Sequence, residues 1–402
     1  MIPLEEAQSY VLERISQLSN ETLGIDSACS YVTAEAVISS ELVPPFDNTA
    51  VDGYAVKAFE TNGASEGNGV ELEVIGSIAA GTQPDFELQG GQSAKIMTGA
   101  PLPKGADAVV MVEWTNAGDE GGVVRVNRSV KKGDHIRKSG EDLQPGDRVI
   151  GEGTLLTPAH IGLLAGIGVY QISVVRRPVI GVFSTGDELV EGSQALQPGQ
   201  IRDSNRFSLL ALLEREGFET VDLGLIPDNK EAIERTVREG VKRCDALLTT
   251  GGVSMGDYDY VKVVLEEIGD MRWMQIAIKP AKPFAFGLVQ GVPVFGLPGN
   301  PVSSMVSYLL LAKPALHKMM GCENVFPDYL VGVAADDFRR RFDGKVHFVR
   351  AFLTQEKHQA LINPVGKQGS HQLSGMAAAD TLAVVPDGEG IAKGSSIEYF
   401  RF

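Results

Sequence analysis

Residues 279–283, KPAKP, carry two lysines on a turn stiffened by two prolines, directly after the apolar run MQIAI. Held this way, Lys279 and Lys282 can be an ordinary solvated pair or a seat for phosphate or another oxyanion. Four other apolar runs, VIGVFS, TVDLGLI, DALLTT and VPVFGL, also end in polar, Gly- or Pro-bearing loops: TGDEL, PDN, GGVSMGDYD and PGNPVSS. These loops hold Glu188, Asp228, Asp257 and Asp259, and also Gly251, Gly252, Ser254, Pro298 and Ser303. Asn300 followed by Pro301 is the pattern of a capped helix start, whose free N–H groups favour an anion. An ordinary turn or an ordinary cap explains each loop taken alone. Together they set bare carboxylates beside an anion seat, which requires a divalent cation, and oxygen donors of this kind suit Mg2+. The residues point to an enzyme for a phosphorylated, anionic substrate. Composition and spacing go no further.

These loops need a scaffold, and the chain supplies one. From about 176 to 321 apolar runs alternate with helix-length segments such as SNRFSLLALLEREGF and NKEAIERTVREGVKRC. That rhythm predicts a doubly wound, mostly parallel α/β sheet, which binds ligands beyond the carboxyl ends of its strands. Residues 46–141 change character to short β-type runs between Gly, Pro, Asn and Asp turns, which predicts a small inserted β domain. Within it FDNTAVDGYAV places Asp47 and Asp52 in a polar knot that is either a turn between strands or half of a site. Residues 4–42, LEEAQSYVLERISQL then SYVTAEAVISSEL, are expected to be helical, and 326–402 a barrel or sandwich. The expected division is 1–45 with 142–175 as a helical and mixed domain, 46–141, 176–325, and 326–402. Such a multidomain α/β chain suits 402 residues, too many for one core.

Composition excludes several alternatives. Three cysteines, Cys29, Cys244 and Cys322, are widely spaced, and the six histidines form no paired zinc motif. A reducing, cytoplasmic setting is the expectation. A formal net charge of −16 argues against nucleic acid as a partner, so an anionic substrate needs a local basic pocket. The apolar stretch at 161–175 is too short and interrupted to span a membrane.

Eight blocks in order, PPFDNTAVDGYAV, IMTGAPLPKGADAVVMVE, IRKSGEDL, FSTGDEL, GQIRDSN, TTGGVSMGDYDYVK, IKPAKPFAFG and GLPGNPVSS, resemble the molybdopterin molybdenumtransferase (MoeA) family. The C-terminal domain of gephyrin is similar. The resemblance implies insertion of molybdenum from molybdate into adenylylated molybdopterin, with hydrolysis of the phosphoanhydride and release of AMP. It also implies Mg2+ and a homodimer with its site at the subunit interface. The molybdopterin adenylyltransferase and molybdoenzyme chaperones would be its protein partners. Residue by residue, Asp52 and Thr98 match functional positions of the β insertion, and Arg137, Glu141 and Asp142 match its GED loop. Glu188, Asp228 and Asp259 match acids that hold the cation or position water. Lys279, Lys282 and Ser303 match positions that receive molybdate, completed by Arg350 and Ser370 from the C-terminal domain. Arg202 in GQIRDSN departs from the aromatic residue of some relatives.

Two other readings compete. One is the adenylyltransferase step, whose enzyme the α/β domain resembles; the β insertion and the C-terminal domain favour insertion instead. The other is a gephyrin-like scaffold, which has no need to keep Asp52, Glu188, Asp228, Asp259 and both lysines together.

Overall fold

The computed structural model describes residues 1–116, 122–252 and 260–402. Ser254, Asp257 and Asp259 lie outside the described residues. The chain divides into two compact units. The first is Met1–Glu35, Gly153–Thr157 and Gln171–Phe402, and the second is Ala36–Glu152 and Pro158–Tyr170.

The first unit is organised by one six-stranded sheet. Its strands are β1 (Val179–Thr185), β2 (Glu219–Ile226), β3 (Ala246–Thr250), β4 (Asp270–Gln275), β5 (Pro283–Val289) and β6 (Val292–Leu297), in the order β2-β1-β3-β6-β5-β4. The four strands β2, β1, β3 and β6 are parallel, and β5 runs antiparallel to both β6 and β4. Because two reversals cancel, β4 points the same way as the parallel four. The residues after β1, β2, β3, β4 and β6 therefore reach one edge, as the loop pattern of the sequence predicts.

The strands are apolar on both sides because helices cover both faces. Ile180, Val182, Leu248 and Phe295 pack with helices α1 (Asn205–Arg215) and α4 (Pro301–Ser307). Phe183, Leu247 and Val294, the alternate positions, pack with α2 (Lys230–Gly240) and α3 (Tyr260–Ile268). Helix α2 starts where it does because the side chain of Asn229 accepts from the N–H of Ala232 at 2.9 Å. Leu4, Ala7 and Val11 of the N-terminal helix, Leu4–Leu12, complete the first of these cores.

Strands Val346–Glu356, Gln359–Pro364, Leu330–Ala334, Ser396–Arg401 and Thr381–Val385 follow in that hydrogen-bonded order, and the last pairs back to the first. This is a closed barrel, which leaves no free edge within that ring. The short strand Ile278–Lys279 joins it in parallel, with Lys279 opposite His347, and so attaches the KPAKP turn to the barrel.

The second unit is built on a six-stranded sheet in which Gly53–Val56 lies between Ala108–Met111 and Gln92–Ile96. Tyr54, Ala55 and Val56 are fully buried there, and a Cβ on Gly53 would lie 1.9 Å from the carbonyl oxygen of Val110. Only glycine fits at that position.

The N-terminal expectation needs correction. The helix ends at Leu12, and SYVTAEAVISSEL forms two short strands, Val32–Thr33 and Val37–Ile38. All four of these residues are β-branched, and their partners are remote: Val174 and Val175 for the first pair, Arg148 and Ile150 for the second. Tertiary pairing overrides the local helical pattern.

Candidate functional site

At the carboxyl edge of the sheet, chain order and strand order diverge between β1 and β3. That divergence makes the crevice in which such sheets bind ligands. Thr185 ends β1 and donates its hydroxyl to Asp228 Oδ1 at 3.3 Å, while the N–H of Asp228 donates to Asp187 Oδ1 at 3.3 Å. Burial raises the Asp228 carboxyl above its ordinary pKa, and the negative charges of Asp187 and Glu188 raise it further. Asp187, Glu188 and Asp228 thus lie near enough to one another after β1 and β2 for their charges to act on Asp228. Among the described residues no group of three His, Cys, Asp or Glu side chains is arranged to hold a metal ion. Glu188 and Asp228 are present at this edge; Asp259, the third acid implied by the resemblance, is outside the described residues.

The loop after β3 begins with Gly251 and Gly252, both at positive φ (90° and 69°). A Cβ on Gly251 would lie 2.7 Å from the carbonyl oxygen of Thr185, and one on Gly299 would lie 3.7 Å from Gly251 Cα. The loops after β1, β3 and β6 therefore approach backbone to backbone. Asn205, the first residue of α1, joins two of them: its Nδ2 donates to Thr250 Oγ1 at 2.7 Å and to the carbonyl of Gly299 at 2.8 Å.

Two residues earlier, Asp203 Oδ1 accepts from Ser184 Oγ at 3.1 Å, and Asp203 Oδ2 accepts from Arg206 Nε at 3.0 Å. Arg206 is 1% exposed and pairs also with Glu191 and Asp222. GQIRDSN is thus the fastening of the crevice floor, a role that its resemblance to a family motif did not specify. Arg202 donates to the carbonyls of Gly192 and Gln194 and ties down its own loop. Arg206→Ala is expected to destabilise the protein by about 3–5 kcal/mol in chemical denaturation, since it strands the buried Asp203 carboxylate.

A cavity of about 1200 Å3 opens between the KPAKP turn and the barrel. Its lining brings together Lys279, Lys282, Asn300, Ser303 and Ser370, five of the positions expected from sequence. Asn300 has the extended conformation of an N-cap but makes no side-chain cap bond. Instead, the N–H of Val302 at the helix start donates to the carbonyl of Ser370 at 3.1 Å, which docks the barrel's loop on α4. Pro298 is buried at the end of β6, and Pro301 occupies the first turn of α4. Arg339, Arg340, Arg341 and Lys345 add to the two lysines, against Asp336, Asp337 and Asp343. The Arg340 side chain is buried and pairs with Asp343 and Asp387, Arg339 pairs with Asp337, and Lys345 pairs with Asp343. That leaves Lys279, Lys282 and Arg341 without a carboxylate partner among the described residues, in a chain of net charge −16. The barrel's contribution was missed from sequence, although the run RRR at 339–341 in an acidic chain was a usable signal.

Arg350 is placed differently from its expected role. It is 1% exposed, does not line the cavity, and spends its donors on the carbonyls of Gln372 (2.7 Å), Lys367 (2.9 Å) and Gly369 (3.1 Å). The guanidinium shapes the loop that carries Ser370 rather than facing the cavity.

The second unit gathers the remaining positions. Asp52 Oδ1 accepts from the N–H of Thr98 at 2.7 Å and from its hydroxyl at 2.8 Å, bonds that hold the carboxyl below its ordinary pKa. Both residues are exposed. Asp47 pairs with Lys138 at 2.6 Å and accepts from the N–H of Ser139 at 2.8 Å. Arg137 pairs with Asn48 across two short strands, the N–H of Gly99 donates to the carbonyl of Thr49, and that of Asp142 donates to Val43. Three blocks distant in sequence thus meet on one unit, and Arg137, Glu141 and Asp142 are exposed there. FDNTAVDG is a turn between strands that also leaves a carboxylate at the surface.

Known proteins match this arrangement along the whole chain. Residues 2–168 match the MoeA N-terminal region (domain I and II), 181–318 a probable molybdopterin binding domain, and 332–402 the MoeA C-terminal region (domain IV). A Haemophilus influenzae protein named molybdopterin molybdenumtransferase is 37% identical over 97% of this chain and 96% of its own length. A Bacillus subtilis protein of the same name is 35% identical over 99% of this chain and 93% of its own. The crystal structure of a molybdopterin biosynthesis MoeA protein from Pyrococcus horikoshii is 30% identical, covers all of both chains, and superposes with a TM-score of 0.85. With the crevice, the barrel and the eight blocks all accounted for in one frame, the chain belongs to the MoeA family.

Proposed function

We propose that the protein is a molybdopterin molybdenumtransferase, inserting molybdenum from molybdate into adenylylated molybdopterin with release of AMP. The observation that carries the reading is the cavity, where Lys279, Lys282 and Arg341 have no carboxylate partner among the described residues although the chain is strongly acidic. Molybdate is a small dianion. Lys279 and Lys282 supply charge to it, and the hydroxyls of Ser303 and Ser370 supply hydrogen-bond donors. Gly251 and Gly252 let a phosphate approach the backbone after β3. Glu188 and Asp228, with Asp259, are the residues that would hold Mg2+, being oxygen donors of the kind that ion takes. When bound there, the ion would supply charge neutralisation at the phosphoanhydride and Lewis-acid polarisation of its phosphorus.

The comparison test uses the purified protein with Mg2+ and adenylylated molybdopterin. AMP released only when molybdate is present supports insertion. AMP–pterin formed from molybdopterin and ATP supports the adenylyltransferase reading instead, and peptide binding without either reaction supports a scaffold.

The further parts of the proposal are a homodimer with its site at the subunit interface, contacts with the adenylyltransferase and molybdoenzyme chaperones, and a cytoplasmic setting. The free state of Cys29, Cys244 and Cys322 supports a reducing compartment. Among the described residues no helix is long and apolar enough to cross a membrane. The proposed division remains 1–45 with 142–175, 46–141, 176–325 and 326–402. Asp52 serves either its own chain's site or the partner's, and a mixed dimer decides between them. Mixing Asp52→Ala with Asp259→Asn chains is expected to restore part of the activity, up to about a quarter of the wild-type level for random pairing of subunits. No recovery would place Asp52 in its own chain's site.

A further inference from the structure

A second cavity, of about 500 Å3, opens within the first unit at the other edge of the sheet. Val179, the first residue of β1, Asp245, the residue before β3, and Val292, the first of β6, all line it. The crevice lies where these same strands end, so the two sites are separate. A volume of this size is within the range of about 300–1,000 Å3 usual for small-molecule sites.

Four cations reach the cavity from three segments: Arg14 after the N-terminal helix, Arg176 before β1, and Lys242 and Arg243 in the turn between α2 and β3. Asp245 is the one acidic side chain of the lining among the described residues, and it is fully engaged. Arg176 donates to both of its oxygens, at 2.7 and 2.5 Å, and the N–H of Val179 donates to Oδ2 at 2.8 Å. Arg14, Lys242 and Arg243 are exposed and have no carboxylate partner among the described residues. Arg14 is nonetheless held in place. Its guanidinium lies 3.7 Å from the centre of the Tyr10 ring, and Nη1 donates to the Tyr10 carbonyl at 3.1 Å.

Helix ends attract cations, and two helices end beside this cavity, at Leu12 and Gly240. That role is already filled at both. Lys318 Nζ donates to the carbonyl of Leu12 at 2.7 Å, and α2 carries Arg238 in its own last turn. Arg14, Lys242 and Arg243 are surplus to the helices, and gathering three like charges round one concavity costs energy unless an anion enters it.

We propose that this cavity binds a small phosphate-bearing anion, a di- or triphosphate group that is either free or carried by a nucleoside. Arg14 and Arg243 offer the planar forks that suit phosphate oxygens, and Lys242 adds a point charge. The site is independent of the reaction assigned above and uses none of its residues.

Calorimetric titration with pyrophosphate and with ATP tests it, in a Lys279→Ala/Lys282→Ala background that removes the two lysines of the larger cavity. One saturable site per chain is expected in that background. Adding Arg14→Ala and Arg243→Ala is expected to weaken binding about 10-fold or more, with the Tm of the unliganded protein unchanged. Lys242→Glu, a single exposed change, is expected to weaken it at least as much and keeps the test decisive if the arginine pair lowers Tm. Equal affinities for pyrophosphate and ATP support the site with the phosphates as its whole ligand; tighter ATP supports it with the nucleoside taking part. Absence of saturable binding overturns the proposal and leaves the cations to the helix ends. Undiminished binding in Lys242→Glu, or in the arginine pair, overturns it as well. Neither result bears on molybdate-dependent AMP release, so the proposed function stands or falls separately.

Discussion

Replacing Lys279 and Lys282 together with alanine is expected to lower molybdate-dependent AMP release by about 10²–10³-fold, the loss typical of removing donors to a developing or bound oxyanion. The expected effect is large because these lysines have no other task. Both are exposed at the cavity, and neither side chain has an ion pair or hydrogen bond among the described residues. Their backbone is held from both sides: Ile278–Lys279 pairs with Val346 and His347, and the N–H of Ile276 donates to the carbonyl of Lys282 at 2.8 Å. Surface substitutions of this kind change stability by about 0.5 kcal/mol or less, so Tm should hold while activity falls. If the pair is only solvated, the variant will turn over like the wild type. AMP release over a range of molybdate concentrations, with a melting curve for each protein, separates these outcomes.

Asp228→Asn is expected to cost about 10²–10³-fold in rate, the scale of losing a charged group that acts in the transition state, and to leave the protein no less stable. The second half follows from the raised pKa. Burial and the facing Asp187 and Glu188 make the folded state hold the Asp228 proton more tightly than the unfolded state does. Without metal, the folded state is therefore favoured by this group at low pH. That contribution declines as pH rises from the ordinary aspartate pKa through the raised one. Asparagine removes the penalty above that window. Mg2+ should raise the Tm of the wild type near neutral pH and raise that of Asp228→Asn less, because a bound cation offsets the repulsion. Equal Mg2+ shifts in the two proteins would remove Asp228 from the metal site.

How much of this was legible in sequence depended on how local each feature is. The loops after β1, β2, β3 and β6 could be read directly because the α/β rhythm places strand ends at one edge. The KPAKP turn reaches that edge by a less obvious route. PFAFGLV forms the antiparallel strand β5, which the sequence reading had absorbed into a motif, and only the double reversal through β5 brings β4 into line. The cationic wall of Arg339, Arg341 and Lys345 depends on the pairing of Lys279 with His347. Nothing local encodes that contact.

Arg350 shows a different limit. Its residue type fits an oxyanion ligand and a loop clip equally well, and only the three carbonyls around it decide between them. The strands Val32–Thr33 and Val37–Ile38 differ from the helical expectation because their partners lie more than a hundred residues away. By contrast, the meeting of FDNTAVDG with IMTGAP and RKSGED was implied only by resemblance, and the hydrogen bonds from Thr98 to Asp52 and from Lys138 to Asp47 give it a physical form.

The account stands or falls on where the oxyanion binds. Crystals of the protein soaked in molybdate, with diffraction collected at the molybdenum absorption edge, locate the metal directly. The account predicts an anomalous peak inside the cavity, within hydrogen-bond reach of Lys279, Lys282 and Ser303, that disappears in the Lys279→Ala/Lys282→Ala variant. A peak elsewhere on the chain, or one that persists in the variant, would contradict it.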